Sequence, residues 1–324
     1  MIDNVNICFT EHYDFDKLNI PKMVSVKYID MDTRKGKSEG WRLKSSWASI
    51  QNPFIACYEN NKVVKCFYRE AYKSDNELFN DFMKYLNNQK KILVVPDIHG
   101  RNFWVEPCQQ WQGSIVFLGD YHDPYPDEYP KTVSPTEMSL NNLRKLVEFV
   151  TKNKERCTCL IGNHDISYIN NSATKCRFDH LNHKEIKSLL EKLNLHLCKI
   201  TNDVIFSHAG ITLQWCNCIG LTIEDLNNNK ISLDSNFLDM ISWYRRGSDE
   251  CGSIVWCDLE EYMNSDHFPN YYQIFGHTQL LLDAFIKEDF ACLDCRECFV
   301  VDVETKEIIP YNKYKENESK NNQS

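Results

Sequence analysis

The stretch Ile92–Arg101, ILVVPDIHGR, decides how this chain is read. Four apolar residues, three of them β-branched, run into Pro96-Asp97-Ile98-His99-Gly100. An apolar run this short, closed by proline and glycine, fits a strand buried on both faces. A carboxylate at the end of such a strand is costly unless something positive lies beside it. Taken alone, an Asp-x-His at a strand end is most simply a satisfied loop pair. The question is whether the rest of the chain supplies partners.

It does. Four more apolar runs end in the same way: SIVFLGDYHD, CTCLIGNHD, DVIFSHAG and YYQIFGHT. In order, the strand ends carry Asp97 and His99, Asp120 and Asp123, Asn163 and His164, His208, and His277. These are oxygen and imidazole donors, suited to Mn, Fe or Zn. A pair of divalent ions would relieve the crowding of carboxylates. Amphipathic helical patterns lie between the runs. SPTEMSLNNLRKLVEFVTKN has Ser134 as N-cap and Pro135 in the first turn, and NHKEIKSLLEKLN is a second. Alternating strands and helices predict an α/β domain with its functional groups at the loops.

Composition sets the frame. The chain has 324 residues, 42% hydrophobic and 26% charged, with a formal net charge of -9. That profile fits a globular protein and argues against nucleic acid as partner, since phosphate backbones are gripped by Lys and Arg. No apolar run approaches the roughly 20 residues of a membrane helix, and no basic region precedes an apolar core at the N-terminus. The 15 cysteines read as reduced thiols of a cytoplasmic protein. CLDCREC (Cys292, Cys295, Cys298) and WCNC (Cys216, Cys218) lack a second paired cluster for a structural zinc and read as buried thiols.

Residues 1–88 read as a small α+β appendage: a strand over Met23–Asp32, a hairpin turning at Asn60-Asn61, and a helix capped by Ser74. This region carries no chemical motif; the alternative is a partner-binding module. Residues 89–313 form the second domain, and the polar tail 314–324 is expected to be disordered.

The motifs DIHGR, GDYHD, GNHD, SHAG and GHT, in this order, resemble those of the calcineurin-like metallophosphoesterases, and within them the protein Ser/Thr phosphatase-like branch. The resemblance spans about Lys90 to Tyr311. It implies a sandwich of two mixed β-sheets flanked by helices, and two divalent metal ions. Asp97 and His99 would bind the first ion, Asp120 would bridge, and Asn163, His208 and His277 would bind the second. A hydroxide between ions about 3.5–4 Å apart would attack phosphorus. His164 would protonate the leaving oxygen while Asp123 holds its other ring nitrogen. The implied activity is that of a phosphomonoesterase acting on phosphoprotein or a small phosphorylated molecule. The alternatives are a nucleotide or dinucleoside polyphosphate hydrolase or phosphodiesterase, and a non-enzymatic phosphatase-like binding module.

The sequence departs from the branch at two places. The arginine that normally follows GDxxD is replaced by Pro124, so the phosphate-binding candidates are Arg101, Arg177, Arg245 and Arg246. Gln279 stands where the phosphodiesterases and nucleases have a further histidine. Other residues carry expectations of their own. His122 reads as a loop histidine without a role, the alternative being a residue that lines the substrate mouth; Trp256 reads as a wall, YHDPYPDEYP as the shaper of the entrance, and Asp294 either as a support behind the metals or as a surface aspartate.

Overall fold

The computed structural model describes residues 4–9, 25–30, 54–59, 62–170 and 176–321. The chain divides into two compact units, Met1–Lys90 and Lys91–Ser324.

In the first unit, strands β1 (Asn4–Phe9), β2 (Ser25–Asp30), β3 (Phe54–Glu59) and β4 (Lys62–Tyr68) form one sheet in the order β2-β1-β3-β4. β3 and β4 pair antiparallel, and the turn at Asn60-Asn61 lies outside the described residues, as do both ends of the strand expected over Met23–Asp32. Helix α1 (Asp75–Gln89) starts where the Ser74 hydroxyl accepts from the Glu77 N–H at 3.2 Å. Its apolar residues recur at helical spacing, so Leu78, Phe82 and Leu86 share one face. That face is buried against Val5, Ile7, Ile55 and Phe67 of the sheet.

The second unit is built on two five-stranded sheets, both mixed. The first runs β14 (Ile308–Pro310), β13 (Phe299–Asp302), β5 (Lys91–Val95), β6 (Ile115–Phe117), β7 (Cys157–Cys159). The second runs β11 (Phe285–Ile286), β12 (Phe290–Cys292), β10 (Tyr272–Phe275), β9 (Val204–Ser207), β8 (Cys198–Thr201). β5, β6 and β7 are mutually parallel, as are β9, β10 and β12. Each parallel set therefore delivers its C-terminal ends to one edge of its sheet. Parallel strands need covered faces, and the connecting segments supply helices α2 (Val105–Gln110), α3 (Pro135–Lys152), α4 (Asn163–Ile169) and α5 (His183–Glu191).

α3 begins as its sequence predicts, with the Ser134 hydroxyl accepting from the Glu137 N–H and Pro135 in the first turn. Leu140, Leu143, Leu146, Val147 and Val150 then form one buried face, each contributing about 1.5–3 kcal/mol of burial. The CLDC segment crosses between the sheets: Cys292 ends β12 in one and Cys298 precedes β13 in the other. The 14 cysteines from Cys57 to Cys298 are free thiols, and of those expected to be buried, Cys218 is exposed and Cys295 half-buried.

The tail differs from expectation. Tyr311–Asn321 is helical, not disordered. Tyr311 and Tyr314 are buried, with Tyr314 edge-on to Trp111 at 5.7 Å and Lys91 Nζ over its ring at 4.8 Å. Two aromatic anchors outweigh the polar composition, which suits the outer face of a helix once one side is fixed. Among the described residues no helix is long and apolar enough to cross a membrane.

Candidate active site and metal centre

The parallel strand ends bring the predicted residues together. Asp97 and His99 follow β5, Asp120 and Asp123 follow β6, and Asn163 and His164 open α4 after β7. His208 follows β9 and His277 follows β10. All are buried. His99, Asp120, Asp123 and His277 have left-handed backbone, with φ of 44°, 51°, 58° and 65°. For residues with a Cβ this conformation costs roughly 1–3 kcal/mol each and persists only where the surroundings enforce it. The enforcing bonds are visible. The His99 N–H donates to the Asp120 carbonyl at 2.7 Å, and the Gly276 N–H to the His208 carbonyl at 2.7 Å.

Two glycines make room for carboxylates. A Cβ on Gly162 would lie 2.1 Å from Asp120 Oδ1, and one on Gly276 would lie 2.1 Å from Asp97 Oδ1. Both contacts are with carboxylates fixed by backbone bonds. The His164 N–H donates to Asp120 at 2.9 Å and the His277 N–H to Asp97 at 3.1 Å.

The donor set fits divalent ions. His208 Nδ1 faces the Leu118 carbonyl at 2.9 Å and must donate there, leaving Nε2 as a lone pair. That lone pair points at Asn163 Oδ1, itself an acceptor, 3.0 Å away. His99 repeats the pattern: Nδ1 meets the carbonyls of His122 and Asp123 at 3.0 and 3.1 Å, and Nε2 faces Asp120 Oδ2 at 3.4 Å. Among the described residues, His277 Nε2 and Asp294 Oδ1 are buried without a hydrogen-bond partner. Facing lone pairs and orphaned acceptors are costly without a cation among them. Ligand atoms of His99, Asp120 and His164 lie within 4.8 Å of one another, as do those of Asp97, Asp120 and His208.

Electrostatics agree with this. Burial, then the neighbouring Asp294 and Asp120, hold the Asp97 carboxyl well above the usual range. Burial likewise pushes Asp294 up to about 7. For Asp120 burial acts upward, but the imidazoles of His208, His164 and His99 outweigh it and bring the carboxyl down to about 2. Burial drives His99 and His277 well below the usual imidazole range, leaving them neutral donors. His164 goes the other way: burial lowers it, yet Asp120 and the bond to Asp123 raise it well above that range. His164 Nδ1 lies 2.8 Å from Asp123 Oδ2.

A cavity of about 240 Å³ opens over these groups, lined by His99, Asp120, Asn163, His164 and His277, with Tyr125, Trp256, Cys176, Arg177 and Arg245 around them. Trp256 is a wall of this cavity, as its sequence context suggests, and Tyr125 of the aromatic loop lines it too. The four arginines separate. Arg177 donates to the Asp123 carbonyl at 2.9 Å and stacks over Tyr125 at 3.7 Å. Arg245 is fixed by Asp258 at 2.7 Å and Thr278 at 2.9 Å. Arg101 does not line the cavity; it pairs through two nitrogens with Glu128 at 2.7 and 2.9 Å. Arg246 is exposed and also lies off the cavity.

The family model for calcineurin-like phosphoesterases matches residues 90–288, more than half of the chain. The chain belongs to that family. As a calcineurin-like phosphoesterase it is a metal-dependent phosphoric ester hydrolase with the two-sheet α/β fold described above. No curated protein matches it. Among solved structures it is similar to a cold-active protein-tyrosine phosphatase of a psychrophilic Shewanella species, at 13% identity and a TM-score of 0.45, over 82% of this chain and 97% of that one. It is also similar to a metallophosphoesterase from Sphaerobacter thermophilus, at 13% identity and a TM-score of 0.36, over 67% and 86% of the two chains.

Several residues of this phosphoesterase site were not singled out by sequence. Asp165 accepts from the backbone N–H groups of Asp120 at 2.7 Å, Gly162 at 2.9 Å and Tyr121 at 3.1 Å, tying two strand ends together. Tyr168 donates to Asp123 Oδ1. The spacing held a clue, because Tyr168 follows His164 by four residues and so shares its helix face. Nothing in the sequence marked Cys176. His122 is no idle loop residue: it is 1% exposed, with Nδ1 2.7 Å from Ser139 Oγ and Nε2 3.7 Å from Asp179 Oδ2.

Proposed function

We propose that this calcineurin-like phosphoesterase is a dinuclear phosphomonoesterase in which His164 is the general acid. The observation that carries this is the 2.8 Å bond between His164 Nδ1 and Asp123 Oδ2, which leaves the far side of a cavity-lining imidazole for a leaving group. Asp97, His99, Asp120, Asn163, His208 and His277 would hold two divalent ions, which when bound supply Lewis-acid charge neutralisation and an activated water.

Every other step falls to the chain. Asp123 accepts from Nδ1, fixes the ring and favours its protonated form, so that Nε2 can give a proton to the departing oxygen. Arg177 and Arg245 bind the phosphoryl oxygens, taking the place of the arginine that Pro124 replaces. Two arginines beside two ions match the dianion of a monoester better than the single charge of a diester. Tyr125 and Trp256 wall the cavity and limit what reaches it.

The test is hydrolysis of an aryl phosphate monoester and an aryl phosphodiester by metal-stripped protein, with Mn, Zn, Mg or Fe added singly. Metal-dependent monoester turnover above diester turnover supports the proposal. Diester preference would replace it with a phosphodiesterase, and no turnover with any metal would leave a phosphatase-like binding module.

A further inference from the structure

Among the described residues, one group of metal donors beside the cavity has no member in the two-ion arrangement. One ligand atom from each of Asp123, His164 and Cys176 lies within 4.8 Å of the other two. Asp123 and His164 already touch at 2.8 Å through a shared proton, and an ion in that proton's place needs them to part by only about half an ångström, to the roughly 3.3 Å between two donors on a tetrahedral ion. The Cys176 thiol is half-buried at the cavity wall, placed there by Ser167 Oγ at 3.1 Å and the Asn163 carbonyl at 3.6 Å. The other two donor groups contain no sulfur.

We propose that Asp123, His164 and Cys176 form a third, inhibitory site that takes a soft divalent ion such as Zn²⁺ or Cd²⁺ in preference to Mn²⁺ or Mg²⁺. The inference rests on the two-ion reading above. Sulfur, imidazole and carboxylate are the donors of zinc, and a thiolate discriminates against hard cations. Three protein donors leave a fourth position, and His164 and Cys176 both face the open cavity. The thiolate and the carboxylate together neutralise a dication. Binding is a ligand exchange without electron transfer: the thiol proton and the proton that His164 shares with Asp123 leave to solvent, and three bonds to the ion form. Inhibition follows because the ion occupies both members of the acid pair.

The experiment uses the manganese-loaded protein and its Cys176→Ser and Cys176→Ala variants. Each rate under added zinc is normalised to that protein's own rate in manganese alone. Half-inhibition of the native protein is expected at a zinc concentration roughly tenfold or more below that for either variant, the usual loss when one supporting group is removed. In parallel, cadmium is titrated and thiolate-to-cadmium charge-transfer absorption is followed. The native protein is expected to bind one equivalent that both variants lack. Equal absorption in all three proteins would overturn the site. A Cys176-dependent band with equal zinc inhibition would overturn its inhibitory role. If no phosphoester turns over, the function proposed above fails alone, because the absorption still reports the site.

Discussion

The Tyr168 hydroxyl donates to one oxygen of the Asp123 carboxylate while His164 Nδ1 holds the other at 2.8 Å. Tyr168 is itself anchored: its oxygen accepts from the Asp179 N–H at 2.8 Å and its ring stacks on Phe178 at 4.3 Å. The carboxylate that orients the proposed acid is thus gripped by a side chain one turn further along the same helix.

Removing that grip has a predicted signature. Tyr168→Phe leaves a buried carboxylate oxygen short of a donor, which costs about 1–3 kcal/mol. His164→Asn removes the acid itself, and kcat should fall about 10²–10⁴-fold. In both variants the loss should be larger for an alkyl phosphate, whose leaving oxygen needs the proton, than for an aryl phosphate. Metal content should be unchanged in His164→Asn. Equal losses on both substrates would remove His164 from the acid role.

The arginines should divide by position. Arg177→Ala and Arg245→Ala should each raise KM for a phosphate monoester about tenfold or more, the scale of a lost charge-assisted hydrogen bond. Arg101→Ala and Arg246→Ala should leave KM within about twofold, because Arg101 spends its guanidinium on Glu128 and Arg246 faces solvent. Steady-state kinetics on the four variants checks this, and a KM effect confined to Arg101 would reverse the assignment.

Gly162→Ala and Gly276→Ala test the carboxylate cradles. In each the new methyl would lie 2.1 Å from a carboxylate oxygen, of Asp120 and Asp97 respectively. The carboxylate must move, and metal affinity should weaken by roughly 10–100-fold, the range seen when a ligand's support is disturbed. Calorimetric metal titration reads the effect directly, and unchanged affinity in both variants would argue against Asp97 and Asp120 as ligands.

Asp294 gives a pH dependence whose sign is fixed. Burial holds its carboxyl up at about 7 in the metal-free protein, above its unfolded value. The folded chain keeps a proton that the unfolded chain has lost, so this stability is full below the unfolded value and disappears as pH rises through about 7. Asp294→Asn mimics the protonated form at every pH. In metal-stripped protein the Tm of the variant minus that of the native chain should therefore grow between about pH 5 and pH 8. The neutral histidines cancel in that difference. Calorimetry showing a constant or shrinking difference would contradict it.

Much of this molecule was legible because the decisive residues follow buried strands. An apolar run bounded by Gly or Pro gives both the strand and the place where polar groups must emerge, so Asp97, Asp120, Asn163, His208 and His277 could be found from the linear pattern. Ser134 and Ser74 likewise declare their helices through local capping. The C-terminal helix is not legible in the sequence because its stability comes from Tyr311 and Tyr314 meeting residues far away along the chain, which composition does not encode. The burial of His122 is hidden for the same reason: its partners, Ser139 and Asp179, lie 17 and 57 residues further along the chain.

The sequence by itself determined the fold class, the family resemblance and the order of donors along the strand ends, because strand burial and glycine-bounded turns are local properties. Only the tertiary structure decided which arginines reach the cavity, that Cys176 stands beside the acid pair, and that Tyr168 and Asp165 brace the site. The reason is physical. A side chain's role there depends on which other strand end or loop it meets, and those meetings are set by sheet order and by packing between segments as much as 180 residues apart.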